Sequence, residues 1–145
     1  MKHTVKGALI AAAMALGLAS AHTMALPDVA TAPEGAKVYF ISPQDGAVVT
    51  NPVKVVMGLQ GMGVAPAGTM RDNTGHHHLI IDAPTPKAGE PVPSDGNHKH
   101  FGGGQTETSV TLEKGEHQLQ LVLGDFIHRP HATPVASNVI TITVE

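Results

Sequence analysis

Beyond residue 36 the apolar residues of this chain alternate in short runs broken by Gly, Pro, Asn and Asp, and no stretch sustains a 3.6-residue repeat. A period of two places successive side chains on opposite faces of a strand, whereas a helix needs apolar residues at i, i+3 and i+4. Leu119, Leu121 and Leu123 alternate with Gln118, Gln120 and Val122, the mark of a half-buried strand. Ile140, Ile142 and Val144 alternate with Thr141 and Thr143, and Val53, Val55, Met57 and Leu59 share one face of a further run. Strands are therefore predicted at 37–42 (closed by Pro43 and the Asp45-Gly46 turn), 52–60, 76–82, 106–112, 116–124 and 137–145. The runs 106–112 and 116–124 are predicted to form a hairpin across Glu113-Lys114-Gly115, a loop length common in antiparallel pairs. Six or seven strands in about a hundred residues predict an all-β fold, an immunoglobulin-like antiparallel β-sandwich of about seven strands, with a small barrel as the alternative. Two connections, 61–75 and 83–96, are long for so small a domain, and loops of that length are usually functional or mobile.

The N-terminus reads as an export signal. Lys2, His3 and Lys6 precede an apolar run from Gly7 to Leu18 that is too short to span a bilayer comfortably. Ala19-Ser20-Ala21 then fits the small-x-small rule for a signal peptidase, and Thr23-Met24-Ala25 fits it less closely. The expected organisation is a signal peptide over 1–21 (cleavage at 25 being the alternative), a flexible Pro/Ala-rich leader over 26–36, and one domain over 37–145. Cleavage after Ala21 removes Lys2 and Lys6, leaving seven basic against twelve acidic residues in the remaining 124 and a net charge of −5. That balance disfavours nucleic acid and anionic lipid as partners. No second apolar segment follows, so no membrane insertion is expected after cleavage, and the location expected is periplasmic or secreted.

The chain has no cysteine, so a metal site would be built from nitrogen and oxygen, with methionine sulfur from Met62 or Met70 as a conceivable addition. It does have ten histidines, eight of them between His76 and His131. Imidazole is the commonest protein ligand for borderline transition metals. On a strand, His76 and His78 point one way and His77 the other, so the first two can serve one ion. His98 and His100 repeat that spacing before Gly102-Gly103-Gly104, and His128 and His131 flank Arg129-Pro130 in a loop after the leucine-rich strand. The candidate metal ligands are thus His76, His78, His98, His100, His128 and His131. His77 is expected to be a partly buried, hydrogen-bonded ring and His117 a core or rim residue. Asp125 could be an oxygen ligand, could orient an imidazole, or could simply end the strand. Cleavage after Ala21 would also leave His22 with a free α-amino group, the arrangement of a copper brace.

From Ala36 onward the chain resembles a bacterial family known only as domain of unknown function 4399. The stretches that carry the resemblance include Val38-Tyr39-Phe40-Ile41, Gly61-Met62-Gly63-Val64, Gly75-His76-His77-His78-Leu79-Ile80-Ile81-Asp82 and Asn97-His98-Lys99-His100-Phe101-Gly102-Gly103-Gly104. They continue through Leu119 to Asp125, His128, Pro130-His131 and Ile140-Thr141-Ile142-Thr143-Val144. The resemblance implies an exported single domain and no particular activity. Three functions remain open on the residues alone. The first is a periplasmic protein that binds copper or zinc for sequestration, delivery or sensing. The second is a structural or adhesive sandwich module whose histidines form a hydrogen-bonded network, and the third a metalloenzyme with three histidine ligands and an open position. Four protein ligands would argue against the third.

Overall fold

The structure is a computed structural model and describes residues 25–145; the segment read as an export signal, with His22, lies outside the described residues. Among the described residues nine strands follow one another: β1 (Lys37–Ser42), β2 (Val48–Val49), β3 (Val53–Gln60), β4 (Gly63–Val64), β5 (Thr74–Ile81), β6 (His98–His100), β7 (Glu107–Val110), β8 (Gly115–Gly124) and β9 (Ile140–Val144). They form a three-stranded sheet, β1-β3-β7, and a six-stranded sheet, β2-β9-β8-β5-β4, in which β6 also pairs with β5. The two sheets face each other as a sandwich, and neither closes into a barrel. The division matches the immunoglobulin pattern, with the A, B and E strands in one sheet and C, F and G in the other.

The alternating residues explain the core. Val38, Val53, Val55 and Met57 from the small sheet meet Leu79, Ile81, Leu119, Leu121, Leu123, Ile142 and Val144 from the large one. The opposite face of β5 and β8 is covered too: Ile80 and Val122 pack beneath Val92 and Ala136, which belong to the long connections. Both faces of β5 are therefore buried, which is why its sequence is apolar on both.

One expectation fails here. Residues 106–112 and 116–124 do not form a hairpin: β7 pairs with β3, and β8 lies between β5 and β9 in the other sheet. The Asn51 side chain ties down the crossing: its amide donates to Leu112 O (2.7 Å) and its carbonyl oxygen accepts from Leu112 N (3.0 Å), just past the end of β7. The segment 26–36, read from the sequence as a leader, makes contacts with the domain. Arg129 donates to Pro27 O and Asp28 O, Ala132 N donates to Ala30 O, and Ala32 and Ala36 pack on the core.

Leu121 is fully buried at the centre of the large sheet. Leu121→Ala should cost about 2–5 kcal/mol of stability by urea denaturation, and a loss under about 1 kcal/mol would contradict this packing.

Candidate metal centre

The register of the large sheet builds the site. His78 on β5 lies opposite His100 on β6 on one side and Val122 on β8 on the other. His76 lies opposite Gly124, the last residue of β8. Because side chains alternate, His76, His78 and His100 share the outer face of this sheet while His77, Leu79 and Ile81 share the other. His128 joins them from the loop after β8.

The four rings crowd together. Their centroids are 4.4–6.1 Å apart over all six pairs, and one nitrogen from each lies within 4.8 Å of the others. His76 Nε2 is 3.0 Å from His128 Nδ1 and 3.1 Å from His100 Nε2. Nitrogens bound to one ion at about 2.0–2.1 Å stand roughly 2.9–4.1 Å apart, so these separations suit a shared metal.

Two glycines make the crowding possible. A Cβ on Gly124 would lie 2.5 Å from His78 Cε1 and 3.4 Å from His128 Cα, and one on Gly102 would collide with the His100 ring. His128 itself sits at φ 70°, a left-handed conformation uncommon outside glycine. Its loop is held by His128 N donating to Asp125 O (3.0 Å) and by Val92 N donating to His128 O (2.9 Å).

Burial governs the protonation of these rings. His76 is pushed down to about 4, first by burial and then by its neighbours His100 and His128. His78 is pushed down to about 3, again by burial first and then by His76, His100 and His128. His100 shifts down by burial and by His128. Neutral rings keep a lone pair free for a metal. His76 Nδ1 and His78 Nδ1 are buried with no hydrogen-bond partner.

The remaining candidates lie apart from this group. His98 places Nδ1 2.7 Å from Asp95 Oδ1, opposite Ile80 on β5. His131 is buried, with Nδ1 unpartnered. His77 is fully buried with neither nitrogen hydrogen-bonded, unlike the bonded ring expected of it, and burial lowers it to about 4. His117 is a rim residue: Nδ1 lies 2.6 Å from Asp82 Oδ2, a contact that raises its pKa, and Nε2 lies 2.9 Å from Glu113 O. Asp125 lies outside the group of four, its oxygens accepting from Ile127 N, Arg129 N and the Arg129 guanidinium. Met57 and Met62 pack on the core, and Met70 is exposed.

A family model described as "Domain of unknown function (DUF4399)" matches residues 55–145, a span that includes all four clustered histidines. The chain belongs to this family. No curated protein and no solved structure matches it.

Buried neutral histidines predict that this DUF4399 domain loses stability in acid. Below about pH 6.5 the unfolded chain takes up protons that folded His76, His77 and His78 refuse until about pH 3–4. Stability should be full above about pH 6.5 and fall through that window by up to about 1.4 kcal/mol per pH unit for each ring. His117, raised by Asp82, acts in the opposite sense. Denaturant titrations of the metal-free protein from pH 7.5 to 4 measure the slope, and a flat profile would contradict the burial.

Proposed function

We propose that this protein is an exported metal-binding protein that holds copper or zinc through His76, His78, His100 and His128, for sequestration, delivery or sensing. One observation carries the reading. His76 Nε2 faces ring nitrogens of both His128 and His100 at hydrogen-bond distance. A ring nitrogen has either one proton or one in-plane lone pair, so it makes one good hydrogen bond and not two. At least one contact is therefore mismatched in the metal-free protein, and a cation among the lone pairs relieves it.

The donor set suits borderline metals, and divalent copper ranks above zinc for nitrogen ligands in general. Four protein ligands favour holding an ion over catalysis, which needs a vacant position. His100 is the exposed member of the set, whereas His76 and His78 are buried, so exchange with solvent or a partner would begin at His100. Gathering of the rings on one side of the sheet also speaks against a structural network spread over the fold. The basic, apolar and small-residue order at the N-terminus supports export, and the intact mass of protein recovered from its own cell envelope checks it. A chain starting at His22 or Leu26 is expected; retention of Met1 would oppose export.

Calorimetric titration of the full chain with Cu2+ and Zn2+ tests the metal. One ion should bind per chain with Kd below about 1 μM, near −8 kcal/mol. An excess of ion about a hundredfold over Kd should then raise stability by about 2.7 kcal/mol. His76→Ala with His78→Ala should weaken binding by two orders of magnitude or more. Failure of both ions to bind, or unchanged affinity in the double variant, would overturn the proposal.

A further inference from the structure

Beside the four rings lies an ion pair that holding a metal does not itself require. Asp125 and Arg129 are 1% and 4% exposed. Removing two opposite charges from water is expensive, and such a pair is weak support for a fold on its own. Its geometry shows a different use. Asp125 Oδ1 accepts from Ile127 N (3.0 Å) and Arg129 N (2.9 Å), while Oδ2 accepts from Arg129 Nε (3.0 Å) and Nη2 (2.9 Å). The remaining guanidinium donors reach the N-terminal segment: Nη1 donates to Pro27 O (2.9 Å) and Nη2 to Asp28 O (3.0 Å).

The residue between the two clamped amides is His128, at φ 70°. Such a backbone conformation persists only where its surroundings over-determine it. Here the carboxylate fixes the amide on either side, and the guanidinium fixes the carboxylate. We infer that Arg129 is a positioning residue for the metal: held between Asp125 and the carbonyls of Pro27 and Asp28, it keeps the His128 imidazole among the other three rings. The inference rests on the metal-binding reading above. It also gives residues 26–36 a part in the site, since they supply two of the acceptors that orient the guanidinium. Lysine cannot substitute, because one ammonium lacks the planar fork of five donors that spans all three partners.

The test uses the full chain, Arg129→Lys, His128→Ala and the double variant, titrated with Cu2+ and read by electron paramagnetic resonance. Wild type should show four coupled imidazole nitrogens and R129K three, with affinity 10–100-fold weaker, the usual range for losing a group that orients a ligand. In the His128→Ala background, R129K should change affinity by less than twofold. In the metal-free protein the His128 amide resonance should move in R129K while that of His117 stays. If R129K does not fold, D125N/R129Q, which removes both buried charges together, takes its place with the same expected results. Four nitrogens and wild-type affinity in the variant would overturn the positioning role, as would a full further loss in the His128→Ala background. If wild type binds neither Cu2+ nor Zn2+, the metal reading fails and this role with it; a four-nitrogen wild type with an unaffected variant sinks this role alone.

Discussion

The register of β5 between β6 and β8 is the constraint on which the site depends. A slip of one residue would turn His76 and His78 toward the core and bring His77, Leu79 and Ile81 outward. The pairing that prevents it is anchored on the core side by Leu79 opposite Leu121 and Ile81 opposite Leu119, all well buried. The same register sets His76 opposite Gly124 and His78 opposite His100. Hydrophobic packing on one face of the sheet thus fixes the spacing of nitrogens on the other.

That outer face would be polar and wet in many antiparallel sheets. Here the connections after β5 and β8 cover it, with Val92 and Ala136 closing over Ile80 and Val122. Cover makes the rings costly to protonate, and loss of the charged form keeps their lone pairs available. The connection after β8 also carries His128, whose carbonyl accepts from Val92 N in the connection after β5. Burial, protonation and the placing of His128 therefore share one structural cause. Mutual contact of nitrogens without a cation is an unfavourable arrangement, so on the proposed reading an ion bound there would also stabilise this face.

The all-β class, the sandwich and the limits of β1 and β3 were legible because alternation in strands records burial directly. The pairing of His76 with His78 was legible for the same reason. Their face was not, because β5 is buried on both sides and its sequence carries no polar stripe to tell them apart. Of the two paired groups, spacing treated His98 and His100 alike; the structure gives one to Asp95 and the other to the cluster. Asp95 is local, three residues before His98, but what draws His100 into the cluster is its place opposite His78 on β5, which no local pattern records. His131, three residues past His128 in the same proline-stiffened loop, was likewise indistinguishable from it. The crossing between β7 and β8 and the docking of residues 26–36 depend on Asn51 and Arg129, whose partners are 61 and about a hundred residues away. An Asp-x-x-x-Arg spacing was visible, but only the fold shows that it encloses a member of the histidine cluster.

The central claim is that four imidazoles from β5, β6 and the loop after β8 hold one ion. Anomalous diffraction from crystals loaded with stoichiometric copper or zinc tests it most directly. The account requires a single strong peak about 2.0–2.1 Å from one nitrogen of each of His76, His78, His100 and His128. A peak at His98 or His131 with none among the four, or no peak at stoichiometric metal, would contradict it.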